Sequence, residues 1–310
     1  MHYELLNYEL PMWLILAFIS AILLGSYEVF KKVSLEKNAV IPVIFVSILF
    51  SCLTLTPFLI LSEFLPGTLR GTIFFVPRVD FHAHMLFVLK ATIVLTSWLF
   101  AYFALKHLPI SLASPIKATQ PMWTVLGALL IFGEKLNGYQ AAGIGVTLVS
   151  FFLFSVIGKR EGISMRTNKW FWFIVMATLT GALSGLYDKY LMNKYDVMSV
   201  QVYYTFYQAI IMGLITVFLW YPTRKATTPF RFKWAIFWIS TFLVTADFVY
   251  FYALTLPGSM ISIVSTIRRS GVIVPFLYGA MVLHDKNIKL KMIDLIGVLI
   301  GMYLLYLGSK

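Results

Sequence analysis

Three basic residues lie deep inside long apolar segments of the sequence: Lys117 in segment 109–132, and Arg268 and Arg269 in segment 259–283. A charged side chain at the centre of an apolar helix costs roughly 2.5–3.5 kcal/mol on insertion scales, so such residues are usually functional. Ammonium and guanidinium groups form charge-assisted hydrogen bonds with carboxylates and phosphates, and arginine can offer two parallel N–H groups. We therefore predict that these three side chains bind an anionic group.

Polar residues at helical spacing accompany this basic cluster. Gln120 follows Lys117 by about one turn, and Ser265 and Thr266 precede the two arginines by about one turn. If both segments are helices, each carries a polar stripe that must face away from lipid. We expect the two stripes to meet and to bind the same ligand.

Other apolar segments contain ionisable residues that could act with this cluster, namely Glu28, Lys32, Asp188 and Asp247. Buried carboxyl groups take up protons more readily than exposed ones, so Glu28 or Asp247 could couple proton movement to ligand movement. They could instead form ion pairs with the basic cluster, and Glu28 with Lys31 or Lys32, three and four residues later on the same helix. The sequence leaves both roles open.

The composition places these residues in a membrane protein. The chain has 310 residues, of which 60% are hydrophobic and 12% charged, with a mean hydropathy of +0.84. Soluble domains are nearer 45–50% apolar and about 25% charged. A chain this apolar needs lipid as its solvent, and only helices or closed barrels satisfy their backbone groups there. We predict an all-α membrane protein.

Metal, cofactor and catalytic motifs are missing from the sequence. The single cysteine, Cys52, excludes an internal disulfide and a cysteine-based metal site, and the five histidines have no metal-ligand spacing. Neither HExxH nor Gly-x-Ser-x-Gly occurs. We therefore predict no metal site, no cofactor and no enzymatic activity.

The net charge of +12 comes largely from basic residues at the ends of apolar segments, where they contact lipid headgroups. The expected partners are membrane lipid and a small-molecule substrate, and no nucleic acid. Gly181 and Gly185, and likewise Gly297 and Gly301, have the G-x-x-x-G spacing that permits close helix packing. Such packing could occur within a monomer or across a homodimer, and both remain open.

Ten segments are long and apolar enough to cross a bilayer, which takes about 20 residues. We predict ten transmembrane helices at 11–33, 40–62, 83–105, 109–132, 138–157, 169–191, 199–221, 233–255, 259–283 and 290–308.

The chain also repeats itself. The motif that holds Gly25, Tyr27 and Glu28 matches one that holds Gly185, Tyr187 and Asp188, and ALKHLP at 104–109 matches ALTLP at 253–257. We predict one five-helix repeat at 11–157, a linker at 158–168 and a second repeat at 169–308. Because five is odd, the copies must be inverted in the membrane. Inverted repeats are typical of secondary transporters, whose site lies at the repeat interface.

The sequence ALKHLPISLASPIKATQPMWTVLGALLIFGEKL (104–136), with its Gly133-Glu134 ending, resembles the EamA domain of the drug/metabolite transporter superfamily. Three shorter stretches resemble plastid sugar-phosphate translocators: YEVFKKV (27–33), IKATQPMWTVL (116–126) and STIRRSGVIV (265–274). In that family a helix 4 lysine and a helix 9 basic pair hold the substrate phosphate. The resemblance implies this role for Lys117, Arg268 and Arg269, although position 268 usually holds lysine in that family.

These observations predict a secondary transporter of a small polar metabolite bearing a phosphate or carboxylate. We expect it to work by alternating access, as an exchanger, and to lie in a bacterial inner membrane. The first alternative is a proton-coupled exporter of amino acids or amphipathic compounds. The second is a membrane sensor or enzyme without transport activity.

Overall fold

The computed structural model describes residues 12–132, 137–163, 167–192, 194–256 and 261–308, and every regular element in these ranges is helical. The first half contains α1 (Met12–Leu35), α2 (Val40–Phe64), α3 (Pro66–Leu69), α4 (Phe81–His107), α5 (Ile110–Ala118), α6 (Gln120–Phe132) and α7 (Gly138–Arg160). The second half contains α8 (Lys169–Met192), α9 (Val197–Ile215), a π-helical segment (Thr216–Trp220), α10 (Tyr221–Thr223), α11 (Trp234–Thr255), α12 (Ile261–Ser270), α13 (Ile273–Met281) and α14 (Ile288–Leu307).

Seven described helices are long and apolar enough to cross a membrane. They are α1, α2, α4, α8, α11, α14 and the continuous run from α9 to the end of α10. The three other predicted spans are 109–132, 138–157 and 259–283. The second of these is the single helix α7, which continues to Arg160 and so enters the predicted linker.

The predicted spans 109–132 and 259–283 are both interrupted, because each contains two helices in the structure. The first segment breaks at Thr119, two residues before Pro121, and the second breaks between Ser270 and Ile273, just before Pro275. Proline has no N–H to complete the helical ladder and clashes with the carbonyl four residues earlier. At the second break, tighter bonds replace the ladder, with Val274 N donating to Gly271 O over 3.1 Å.

Helix packing brings the two halves of the chain together along their full length. α1 packs on α11, α4 on α8, α2 on α9, and α7 on α14. The broken segments are central: α5 and α6 pack on α8, α12 and α13 pack on α1, and α5 packs on α13. Serine hydroxyls link two of the long helix pairs. Ser20 Oγ of α1 donates to Ala246 O of α11, and Ser97 Oγ of α4 donates to Ala177 O of α8, each over 2.8 Å.

Glycines allow the closest helix approaches. A Cβ atom on Gly25 or Gly271 would overlap the backbone of the opposite helix, so α1 crosses the α12–α13 break with backbone against backbone. On α14, Gly297 faces Ser150 of α7, and Gly301 faces Thr147 of α7. The G-x-x-x-G pair of α14 therefore packs within the chain.

Candidate functional site

A cavity of about 170 Å³ lies among the central helices, with its wall built from both halves of the chain. Both broken segments contribute to it, which is where helix interruptions expose backbone and turn polar side chains inward. Among the residues that the structure describes, four basic and three acidic side chains line it: Lys90, Lys117, Arg268, Arg269, Glu28, Asp188 and Asp247. A membrane interior tolerates such charges only when they pair or meet a polar ligand.

Glu28 of α1 receives two cations. Lys117 Nζ of α5 donates to Glu28 Oε1 over 2.5 Å, and Lys31 Nζ lies 2.6 Å from Oε2. The Lys117 side chain retains 20% of its exposure and lines the cavity, whereas that of Lys31 retains 1%. Lys117 is therefore the member of this group that a ligand can reach.

A second ion pair crosses from α4 to α8. Lys90 Nζ donates to Asp188 Oδ1, and the Lys90 ammonium also lies 4.7 Å from the centre of the Tyr204 ring. Cations over an aromatic face gain electrostatic stabilisation, more so when water is excluded. Tyr204 OH in turn lies 3.4 Å from Asp247 Oδ2. This chain of contacts links Lys90 to the third acidic residue of the cavity.

Asp247 of α11 pairs with Arg268 of α12, whose guanidinium carbon lies 4.3 Å from the centre of the Tyr250 ring. One nitrogen, Arg268 Nε, is buried and has no hydrogen-bond acceptor in the described part of the chain. The same is true of the hydroxyl of Ser114, which also lines the cavity. Both groups can donate to a ligand, and an unsatisfied buried donor costs about 1–3 kcal/mol.

Arg269 is the remaining basic residue of the lining. It lies within electrostatic range of Glu28 and Asp188, yet no ion pair or hydrogen bond joins it to any residue that the structure describes. Since the three acidic residues are each engaged by another cation, the cavity carries one positive charge more than its lining neutralises. The arrangement is suited to an anion.

Gln120, at the start of α6, joins the broken segment to α8. Its Nε2 donates to Gly181 O over 2.8 Å, and a Cβ atom on Gly181 would lie 2.9 Å from Gln120 Oε1. Gly181 and Gly185 both line the cavity, so the first G-x-x-x-G pair forms part of its wall. Because these glycines have no side chains, there is room beside them for the amide of Gln120.

The structure brings together seven of the ten residues that the sequence suggested for binding, coupling or ion pairing: Lys117, Arg268, Arg269, Gln120, Glu28, Asp188 and Asp247. Lys32 is elsewhere, because its Nζ donates to Leu105 O and Leu108 O at the end of α4, over 2.6 and 2.7 Å. It does not pair with Glu28. The side chains of Ser265 and Thr266, and the Gly133-Glu134 ending, lie outside the described residues.

Sequence reasoning missed two residues of this charged centre, Lys90 and Tyr204. A signal for Lys90 was present, since it is a lysine inside the apolar segment 83–105, as Lys117 is inside 109–132. Lys31 was expected to pair with Glu28 along the first helix, and it does. Tyr204 stands among neighbouring tyrosines, and nothing local distinguishes it from them.

The fold and the cavity together define a helical membrane protein with a charged internal site. The model of the EamA-like transporter family matches residues 11–156, which confirms the predicted resemblance. The first half of the chain is therefore similar to an EamA-like transporter domain, and the protein is an integral multi-pass membrane protein.

Comparison of folds covers almost the whole chain. Twenty-five chains of solved structures match. One of them, titled "Crystal structure of protein", superposes with a TM-score of 0.60 over 94% of this chain and 95% of its own, at 14% sequence identity. At that identity the match supports the fold alone. No curated protein matches the sequence.

Proposed function

We propose that this protein is a secondary transporter of a small anionic metabolite with a carboxylate or phosphate group. One observation carries the proposal: the cavity has four basic and three acidic lining residues, and Arg269 has no ion-pair partner in the described part of the chain. A ligand with one negative charge neutralises this excess. A second negative charge is accommodated if Lys31 keeps Glu28 neutralised while Lys117 turns to the ligand.

Hydrogen-bond donors without acceptors at the cavity support the proposal of an anionic ligand. Arg268 Nε and Ser114 Oγ are buried without acceptors, and both belong to residues that line the cavity. A carboxylate or phosphate is rich in acceptor lone pairs and would satisfy these groups together with Arg269. In this proposal Lys117, Arg268, Arg269 and Gln120 bind the ligand. Ser265 and Thr266 precede the arginines on the same helix and are proposed to contribute hydroxyls.

The proposal includes ten spans in two inverted repeats, 11–157 and 169–308. The packing supports this arrangement. Exchanging each helix with its counterpart in the other half (α1 with α8, α2 with α9, α4 with α11, and α7 with α14) converts the α1–α11 contact into the α8–α4 contact, and both occur. The α2–α9 and α7–α14 contacts convert into themselves. The two broken segments are also counterparts. We place the protein in a bacterial inner membrane.

Exchange follows from the charge of the empty site. Closing an empty cavity would strip water from an unneutralised guanidinium, and burying an unpaired charge is strongly unfavourable. An anion offsets this penalty, so the loaded protein would move between its two openings while the empty one would not. Transport would then be a one-for-one exchange, with the halves rocking about the midplane.

The test is flux of labelled phosphate or dicarboxylate into proteoliposomes that contain either the same anion or none. We expect rapid uptake only into preloaded vesicles, and its loss in Lys117→Ala and Arg269→Ala. Lys106→Gln removes a basic residue that contacts Thr228 outside the cavity, and it should transport normally. Equal uptake by empty and preloaded vesicles would rule out exchange, and normal flux in Lys117→Ala would rule out the basic site.

The main alternative is a proton-coupled exporter of amino acids or amphipathic compounds. It would use Glu28 or Asp247 as the proton carrier, but both are engaged in ion pairs in the structure. The same vesicles distinguish the two by an imposed pH gradient. Amino-acid flux that follows the gradient and is lost in Asp247→Asn would support the exporter. No flux of any solute would favour a membrane sensor or enzyme.

A further inference from the structure

Lys31 has the most enclosed charge near the cavity. Its side chain is 1% exposed, and its ammonium lies 4.6 Å from the centre of the Tyr27 ring and 5.0 Å from that of Tyr102. It does not line the cavity. Its closest charged neighbour is Glu28 Oε2 at 2.6 Å, whereas Lys117 contacts Oε1 of the same carboxylate.

Glu28 is thus shared between a fixed cation and a movable one. Lys31 is held by the two aromatic rings, whereas Lys117 stands at the cavity wall with 20% of its side chain exposed. A ligand anion that contacts Lys117 must compete with Glu28 for the same ammonium. If Lys117 were the only counter-ion of Glu28, its transfer would leave a buried carboxylate unpaired, which is strongly unfavourable.

From this geometry we infer that Lys31 is a positioning residue for anion binding. It keeps Glu28 neutralised while the ammonium of Lys117 passes from Glu28 to the ligand. Lys31 never touches the ligand and acts only through Glu28. The inference rests on the proposed function, because it requires an anion to bind at Lys117.

The same argument predicts the behaviour of variants. Without Lys31, Glu28 would hold Lys117 as its sole counter-ion, and an anion would bind less tightly, by roughly 10-fold or more. Without Glu28 there is no carboxylate to leave unpaired, so the loss of Lys31 should then have little effect on affinity. A lysine that merely supported the fold would weaken binding whether or not Glu28 was present.

The experiment measures the dissociation constant of inorganic phosphate for purified protein in nanodiscs. The variants are Lys31→Gln, Glu28→Gln, and Lys31→Gln combined with Glu28→Gln. Lys106→Gln is the matched control, since it removes an equal charge outside the cavity. We expect Lys31→Gln to weaken binding by roughly 10-fold or more, and the double variant to return within about 3-fold of Glu28→Gln.

A second readout needs no ligand. A small acylating reagent that reacts with amines can be applied, and the acylation of Lys117 measured by mass spectrometry. Only the unprotonated amine reacts, so the rate of acylation reports how firmly Glu28 holds the Lys117 ammonium. Lys31→Gln should slow this acylation, and adding Glu28→Gln should reverse the effect. If wild-type protein fails to bind phosphate, the proposal of a phosphate substrate is wrong. The acylation rates of Lys117 would still test whether Lys31 neutralises Glu28.

Two results would overturn the inference. One is wild-type affinity and wild-type acylation of Lys117 in Lys31→Gln. The other is a double variant that binds phosphate much more weakly than Glu28→Gln alone. If Lys31→Gln cannot be purified in folded form, the comparison between Glu28→Gln and the double variant decides the matter, since the inference requires the two to be equal.

Discussion

The crossing of α1 over the α12–α13 break makes a quantitative prediction for Gly271→Ala. The added carbon would lie 2.9 Å from the carbonyl carbon of Ala21 and nearer still to its oxygen. Carbon atoms in favourable contact are about 3.5–4.0 Å apart, so the helices must separate by roughly 1 Å. Because the obstacle is backbone, a change of side-chain rotamer cannot relieve the overlap.

Overpacking of this kind costs about 1–3 kcal/mol. For a chain of this size, each kcal/mol corresponds to roughly 2–4 °C in Tm, so we expect Tm to fall by about 2–12 °C. The same shift would move Arg268 and Arg269, which lie three and two residues before Gly271, away from α1, so substrate flux should fall as well. Thermal unfolding in detergent and flux in proteoliposomes measure the two effects.

Gly145→Ala is the matched control, because a Cβ atom there meets nothing within 4 Å. Alanine is the better helix former by up to about 1 kcal/mol, so this variant should be unchanged or slightly more stable. If Gly271→Ala unfolds at the wild-type temperature, α1 does not cross the break as closely as the structure has it.

Two further predictions concern the arginines of the cavity. Arg268→Gln leaves Asp247 without its cation and should destabilise the protein by about 3–5 kcal/mol, whereas adding Asp247→Asn should restore most of the loss in Tm; additive losses would contradict the pairing. Arg269→Lys keeps the charge but loses the two-pronged geometry, so anion affinity should fall while Tm stays within about 2 °C, and unchanged affinity would show that Arg269 acts by charge alone.

Two features of the sequence allowed part of the fold and site to be predicted: the length of its apolar segments and the charged residues inside them. Apolar stretches of about 20 residues located the long helices, and α1, α2, α4, α8 and α14 begin and end within two residues of their predicted bounds. Lys117 and the two arginines were identified because a charge inside an apolar helix is unfavourable in a membrane and usually has a functional role. The structure places all three at one cavity.

The partners of those charges could not be read locally. Spacing along one helix shows only neighbours three or four residues apart, and it suggested Lys31 and Lys32 for Glu28, of which Lys31 does pair with it. The structure also pairs Glu28 with Lys117, 89 residues away, and Lys90 with Asp188, 98 residues away. Such pairs depend on how the helices pack, which the sequence does not show. For this reason the sequence did not indicate that Lys90 belongs to the cavity.

The helix breaks lead to the last prediction, that Thr119 is a hinge. Pro121 provides no N–H for the carbonyl of Lys117, and α5 ends at Ala118, three residues before this proline. Pro121→Ala supplies that N–H, so α5 and α6 could join into one straighter helix, which should raise Tm. If the halves rock by bending here, exchange flux should fall several-fold although Lys117 is unchanged. Pro57→Ala is the control, because α2 is already continuous through Pro57. A Pro121→Ala protein that is more stable and transports at the wild-type rate would show that the break shapes the cavity without serving as a hinge.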